Sequence, residues 1–560
     1  MLARKRDAFR LYTFARARDG HTLPRRGTMA SPAWTAAHPA VVSPRLHRAR
    51  GSFGQRRGCP VTVRAVSSQR ESKNDNAARE GSGDRGPERK RVVIVGGGMA
   101  GLGCLDALKG HAHVDVTLLE STRVLGGRVR SKTALGALAW DTGASYFTVK
   151  DESGPFAKAL RAAVAAGVVQ TWAHDTEDGE LTGAMGTAST RRRSSDGRVV
   201  VDDASFRSFE AMKKRLYVGV PGAAAFPAFV AERVVGASFP EASWVGDDQK
   251  PGVPEVLCGA HVDRIKQLGD GAGNAWPVHP HGVSPRRWGF MARCKEGGHM
   301  WYKPLECDAI VLATNAHAAA SLLGQVELGN PSDTPGNPGD TPGNAKRSVA
   351  AERLERLRSA AARTRGAACW SLTVAFDAPL RLKYDALKLR APFDGNIVFI
   401  ANESSKPRRG AAASAGWGYR WAEVGRAPAT GAGECWVAQA SPAWSAEHCE
   451  LPPGEAAAKL CAAFLSLVER DGAGDPEPVH CKATRWRFAF PTPDEVEPGG
   501  EIRREETKKT PYVFDPSLML GACGDWASGP GAGDAYESGA ALGAAVAKRF
   551  AASRAADEAA

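Results

Sequence analysis

A β-branched run that feeds directly into G-x-G-x-x-G constrains this chain more than any other feature. Arg91-Val-Val-Ile-Val95 has the composition of a buried parallel strand. Gly96-Gly97-Gly98-Met99-Ala100-Gly101 follows without a break, and Leu102–Lys109 continues at helical spacing. Set between a strand and a helix, the motif is a phosphate-binding turn. Gly96 permits the tight turn, Gly98 lets the backbone approach a pyrophosphate, and Gly101 lets helix and strand pack closely. Met99 and Ala100 open the helix, whose free N–H groups and positive dipole end face the phosphates. A second run, Val116-Thr-Leu-Leu119, ends at Glu120, twenty-four positions after Gly96. A carboxylate there accepts from ribose hydroxyls and repels a 2′-phosphate, so NADP is disfavoured at this turn. These elements predict a doubly wound α/β domain.

The chain has 560 residues, 43% of them hydrophobic, and this length calls for about two to four structural units. No apolar stretch approaches the roughly 20 residues of a spanning helix. The net charge of +13 resides entirely in the first 70 residues, which hold fifteen Lys or Arg and two acids. The remainder carries 59 charges of each sign, so a nucleic-acid partner is not expected of the folded body. Residues 1–88 read as a leader and a polar linker. Met29-Ala30-Ser31 has the look of a transit-peptide start, and Val63-Arg64-Ala65-Val66 of a cleavage region. An Arg- and Ser-containing, acid-poor arm is an import signal, for a plastid first and a mitochondrion second. The eleven cysteines are scattered without C-x-x-C spacing, which argues against a zinc ribbon, a thioredoxin-type site and a disulfide framework. His279 and His281 flank Pro280 without further metal-ligand spacing.

Two segments read as surface loops. Asn330–Gly336 is repeated as Asn337–Gly343, with two prolines per repeat, which predicts neither helix nor sheet. The polar stretch Glu177–Gly197 reads the same way.

The cofactor is read from four further segments. Glu120-Ser-Thr-Arg-Val-Leu-Gly-Gly-Arg128 resembles the second signature of flavoprotein oxidases, with close backbone approach at Gly126 and Gly127 and a phosphate partner in Arg128. Asp141-Thr-Gly-Ala-Ser-Tyr-Phe-Thr148 follows, with Gly143 and Ala144 as cofactor contacts. Leu518–Asp525 reads as a strand ending in Gly524-Asp525, and Ala532-Gly533-Asp534 begins a helix that continues to Val546. Such a helix start stabilises negative charge on a reduced flavin. On these residues the chain resembles renalase-type FAD-dependent oxidoreductases of the flavin amine oxidase superfamily, in the form found in plant and algal chloroplasts. Arg215–Gly222, Phe399–Pro407, Ala440–Ser445 and Arg485–Pro491 match family segments in the substrate half, and Asp308–Asn315 matches a returning strand. The resemblance spans about residues 90–553. It implies noncovalent FAD, ribityl or pyrophosphate contacts from Asp525, an adenine contact from the backbone of Val262, and a substrate domain like those of p-hydroxybenzoate hydroxylase and the amine oxidases. It further implies hydride transfer from a small planar donor, such as a dihydro isomer of NAD(P), to flavin N5 and thence to oxygen. An amine- or carotenoid-type oxidoreductase is the alternative enzyme, and a plastid redox sensor or assembly factor without turnover is the alternative class. Asp534 departs from the glycine common in the superfamily, and Cys523 is read as a buried strand residue.

The expected organisation is a nucleotide domain split over 89–150, 256–325 and 509–555, a substrate domain over 151–255 and 369–508, and a connecting insertion at 326–368. Trp486 is the candidate wall over the flavin, Arg485 and Lys406 are candidate cations, and Arg487 flanks the tryptophan. Strand alternation puts Trp486 on one face and both arginines on the other.

Overall fold

Strand Lys90–Val95 lies inside a six-stranded sheet ordered Glu255–Cys258, Val114–Glu120, Lys90–Val95, Ala309–Leu312, Leu520–Cys523 and Tyr512–Asp515. The first five strands run parallel and the last antiparallel. Parallel strands are covered on both faces, which is why their sequences are continuous apolar runs rather than alternations. Ile94, Leu118, Ile310, Val311, Leu312 and Leu520 are all wholly buried. Helix Met99–Leu108 follows the first strand and is buried along most of its length. It packs against the long C-terminal helix Ala532–Ala559 with backbone touching backbone. A Cβ at Gly103 would stand 2.2 Å from the carbonyl oxygen of Tyr536, and one at Gly539 would stand 1.8 Å from that of Ala100. The small residues of Ser538-Gly-Ala-Ala-Leu-Gly543 are thus a packing requirement.

The second layer is a seven-stranded sheet ordered Ser205–Ser208, Ala184–Ala188, Ala386–Phe393, Ile397–Asn402, Glu434–Ala440, Thr364–Phe376 and Pro478–Pro493. Alternation along Thr364–Phe376 divides it cleanly. Trp370, Leu372, Val374 and Phe376 join a core with Trp436, Leu460 and Phe464, the last two from helix Pro453–Leu467. Cys369 and Ser371 project to the opposite face. A four-stranded sheet, ordered His299–Cys307, Trp288–Glu296, Ala260–Gln267 and Val326–Glu327, packs its own apolar face with residues of the six-stranded sheet.

This computed structural model describes residues 89–134, 138–172, 215–236, 254–268, 287–296, 299–328, 341–380, 384–393, 396–407, 434–468, 476–493 and 510–559, together with short strands between 174 and 208. All of these belong to the unit Gly83–Ala560. The leader, His279 and His281 lie outside the described residues. No described helix is long and apolar enough to cross a membrane.

Two loop expectations are corrected. Helix Thr341–Ala362 begins inside the second heptapeptide, taking in Thr341-Pro-Gly343. A proline in the first helical turn forfeits no intrahelical bond, because the first N–H groups have no partner there. The polar stretch Glu177–Gly197 contains strands Ala184–Ala188, which joins the seven-stranded sheet, and Thr190–Arg193, which pairs with Val199–Asp202. Sheet pairing overrides the polar composition.

Candidate active site

A cavity of about 940 Å³ extends from the glycine turn to the open face of the seven-stranded sheet. Its first wall is backbone-rich. Gly96, Gly98, Met99 and Ala100 line it, and Gly98 caps the helix that begins at Met99. Gly96 adopts φ +111°, and a Cβ there would lie 2.4 Å from the carbonyl oxygen of Ala313. A Cβ built on Gly98 meets nothing within 4 Å, so it would project into the cavity. Gly101 does not line the cavity; a Cβ there would lie 1.9 Å from the Gly96 carbonyl oxygen, which makes it the close-packing glycine of the turn. Glu120 is buried, and its carboxylate accepts from the N–H groups of Gly97 (2.8 Å) and Thr122 (2.7 Å). These bonds aim it at the cavity it lines.

The second glycine pair is tied to the first. Gly126 donates to the carbonyl of Gly97 at 2.8 Å, and Gly126 and Gly127 both line the cavity. Arg128 then makes a bidentate pair with Asp525, 2.7 Å on each arm, and donates to the carbonyl of Ala489 at 2.8 Å. Such fork-to-fork pairs fix geometry as well as charge. Gly143 and Ala144 pack on the backbone of Arg128: the Ala144 N–H donates to its carbonyl at 3.1 Å, and a Cβ on Gly143 would lie 1.7 Å from that oxygen. Gly524 donates to Ser538 Oγ, and Ala532 brings the start of the C-terminal helix to the cavity edge.

The opposite wall comes from the sheet. Strand Pro478–Pro493 is the sheet's edge, and its residues Arg485 to Phe490 all border the cavity. Trp486 Nε1 donates to the Thr142 carbonyl at 2.8 Å, which ties this ring to the Asp141–Thr148 segment. Tyr146, Phe399, Gln439, Ser371 and Lys388 complete the floor. Burial holds the Tyr146 phenol above its ordinary range, so its O–H stays neutral. Cys369 also lines the cavity, and burial pushes its thiol up to about 12. Three buried polar atoms on the lining have no hydrogen-bond partner: Ser145 Oγ, Ser371 Oγ and Arg130 Nε. Buried polar atoms are almost always satisfied, so these three are exceptions within residues that border the cavity. Among the described residues the lining contains no histidine, and its carboxylates are Glu120 and Asp525.

Several expected site residues stand elsewhere. Lys406 is neither a cavity cation nor a solvated loop residue. It is wholly buried, pairs with Asp141 at 3.0 Å and Glu403 at 2.6 Å, and lies over the Trp172 ring. It acts as a clamp beneath the Asp141–Thr148 segment. Arg485 borders the cavity by its place in the strand, while its side chain donates to the Cys449 carbonyl and Glu450 and stacks over Trp370. Arg487 is held by Glu450 at 2.6 and 3.0 Å. Asp534 accepts from Lys150 and from the Gly531 N–H and does not line the cavity. Gly533 packs on the Phe156 ring. Val262 is buried beside a bulge in Ala260–Gln267, off the cavity lining. Cys523 is fully buried, its thiol pushed up to about 12.

Arg130, Lys388, Gln439, Ser371, Phe399 and Tyr146 were not singled out from the sequence. Tyr146 and Phe399 sit inside family-like segments, and Arg130 is two residues after Arg128. Ser371 and Lys388 carry no local signal; strand register alone brings them here.

Comparison with known proteins agrees with the first wall. Residues 94–162 match the family of NAD(P)-binding Rossmann-like domains. Human peroxisomal N(1)-acetyl-spermine/spermidine oxidase is 44% identical over 59 residues, 10% of this chain and 12% of that protein, so the chain spans about an eighth of that relative's length. Among solved structures, cyclohexylamine oxidase from Brevibacterium oxydans IH-35A is 13% identical with a TM-score of 0.47, over 83% of this chain and 100% of that one. Putrescine oxidase bound to putrescine is 13% identical with a TM-score of 0.46, over 83% and 99%. The fold is therefore a Rossmann-like dinucleotide domain, interrupted in sequence, joined to a mixed-sheet layer with a shared cavity between them.

Proposed function

We propose that this chain is an FAD-dependent oxidoreductase, an oxidase that takes a hydride from a small planar donor of the dihydronicotinamide kind and passes electrons to oxygen. The observation that carries this reading is the continuity of the cavity: one space touches the dinucleotide turn and the aromatic face of the sheet. Its volume of about 940 Å³ sits near the top of the roughly 300–1,000 Å³ range of cofactor sites. Gly98 and the helix N-terminus would hold a pyrophosphate, Glu120 the ribose hydroxyls, and Arg128, Arg130 and Asp525 the remaining phosphate and ribityl groups. FAD bound there supplies the hydride acceptor and the reaction with oxygen. The chain's own part is positioning. Trp486, Tyr146 and Phe399 offer flat walls to a flat donor. Among the described residues the floor holds neither histidine nor carboxylate, which suits hydride transfer, a step that depends on alignment more than on an acid or base.

Purified protein should be yellow, and anaerobic mixing with a panel of dihydronicotinamides, amines and polyenes should bleach the flavin with the first class alone, with air restoring it. Bleaching by amines, the substrates named for the human relative, with none by dihydronicotinamides would overturn the donor assignment. We further propose that residues before about 66–90 are removed on plastid import, on the strength of the basic, acid-poor leader. N-terminal sequencing of protein from fractionated cells tests this; intact Met1 or Met29 in the cytosol refutes it.

A further inference from the structure

Four cavity residues share one row of the seven-stranded sheet. Lys388 is opposite Phe399, Phe399 opposite Gln439, and Gln439 opposite Ser371, on four successive strands. Residues directly opposite one another across a sheet project to the same face. The row is therefore a strip of floor, three strand spacings or roughly 14 Å long. Its chemistry changes in order along that length. Ser371 is 1% exposed and its hydroxyl has no partner. Gln439 spends its Nε2 on the Gly143 carbonyl at 3.1 Å. Phe399 meets Tyr146 at a tilt of 60°, ring centroids 6.2 Å apart. Lys388, at the far end, is exposed to solvent.

The charges around this strip are unevenly committed. Arg128 is neutralised by Asp525, and Arg485 and Arg487 both direct their guanidinium groups to the one carboxylate of Glu450. Glu120 and Asp525, the carboxylates of the lining, belong to the opposite wall and already accept hydrogen bonds there. Among the described residues, Lys388 has no ion-pair partner. Among the described residues of this floor, a cationic ligand would meet Lys388 and no carboxylate, and an anionic one would meet an ammonium without an ion-pair partner.

We propose that Lys388 is an anion subsite, and that it selects donors carrying a phosphate at one end of the molecule while the ring lies toward Ser371, Gln439 and Phe399. This inference rests on the oxidoreductase reading above and adds the residue that sets donor specificity. A lysine ammonium serves a phosphate as a point charge, so selection requires charge and reach rather than a fixed fork.

The test uses the FAD-loaded protein and two donors with the same ring, neutral dihydronicotinamide riboside and its 5′-phosphate. The unaltered protein should prefer the phosphorylated donor by roughly two- to fivefold in kcat/KM. Lys388→Met should erase that preference through KM for the phosphorylated donor alone, leaving kcat, FAD content and the neutral donor unchanged. Lys388→Arg should restore it, and added salt should mimic Lys388→Met. An undiminished preference in Lys388→Met, or equal losses on both donors, overturns the subsite. Flavin absorbance titrated with oxidised nicotinamide mononucleotide gives an independent reading. If neither donor reduces the flavin, the oxidoreductase reading fails in its donor class. The titration then still decides on Lys388: weaker binding in Lys388→Met upholds the subsite, and equal binding removes it.

Discussion

The two walls of the cavity are built by opposite means. The dinucleotide wall is made by short contiguous segments whose backbone does the work: Gly96–Gly101, Glu120–Arg128 and Gly524-Asp525. The sheet wall is made by single side chains from five strands, spread from Lys388 through Ser371 to Trp486. Backbone recognition needs glycines at fixed offsets, because a Cβ at those positions would collide with the chain or fill the ligand space. Side-chain recognition needs only register, and any residue type is compatible with a strand at a given step. A cofactor shared by many chemistries is held by the first wall, and what distinguishes one chemistry from another falls to the second.

The largest expected effects break the first wall. Gly98→Val should fold, since nothing lies within 4 Å of the new Cβ, yet block the cradle. Asp525→Ala should strip Arg128 of its bidentate partner and leave a cation where a balanced pair stood. Charge-assisted hydrogen bonds are worth about 1.5–3 kcal/mol each. Each variant should fall below about a tenth of the parental flavin-to-protein ratio, read from the visible absorbance of the purified protein. Full occupancy in either would mean that this wall is a folding element and not a cofactor cradle. By contrast, Gly539→Val should fail to fold, because it drives a side chain into the carbonyl of Ala100.

This asymmetry is also what made the sequence readable in one half and opaque in the other. Gly98, Glu120, Gly126 and Arg128 announce themselves by spacing along the chain, and the structure gathers them on one cavity. Ser371 and Lys388 are neighbours only through two intervening strands, Ile397–Asn402 and Glu434–Ala440, and no local pattern encodes that pairing. Lys406 misled in a different way. A lysine beside Pro407 reads as solvent-facing, and its burial depends on Asp141, 265 residues away in sequence. Alternation, in contrast, placed Trp486 and its flanking arginines on separate faces, because a period of two survives in an edge strand.

Lys406 offers the next break. Its ammonium sits between Asp141 and Glu403, all side chains at zero exposure. Removing one partner from a buried ionic group strands the others, at about 3–5 kcal/mol. Lys406→Met should lose that much stability in a denaturant titration, with flavin reduction rates in the surviving folded protein close to parental. Unchanged stability with slowed reduction would move Lys406 from the clamp to the chemistry and erase the division drawn between the walls.

Trp486 should give an intermediate effect confined to the second wall. Aromatic stacking is worth about 0.5–1.5 kcal/mol beyond area burial, and 1.4 kcal/mol is roughly tenfold in rate. Trp486→Ala should slow flavin reduction by the productive donor about tenfold in stopped-flow traces, with FAD content and air reoxidation nearly unchanged. Trp486→Phe should recover most of the rate, losing only the bond from Nε1 to the Thr142 carbonyl. A lowered melting temperature with normal reduction would make this ring part of the packing between layers.

The smallest effect is expected at Arg487, and it tests whether the faces of the edge strand are truly separate. Arg487 and Lys388 are both cations bordering the cavity, and charge counting alone would give them equal weight. Their surroundings differ. Arg487 directs its guanidinium to Glu450, in a solvent-exposed pair that salt and water screen. The Arg487 guanidinium holds the Glu450 carboxyl below its ordinary range, so the carboxylate stays ionised at neutral pH and keeps the guanidinium turned toward it. Arg487→Ala should therefore leave the phosphorylated-donor KM, the neutral-donor KM and the melting temperature within experimental error. If Arg487→Ala instead raises KM for the phosphorylated donor as Lys388→Met does, the guanidinium turns into the cavity when donor binds. The anion would then be held between two strands' cations, and the row from Ser371 to Lys388 would no longer suffice as the specificity element.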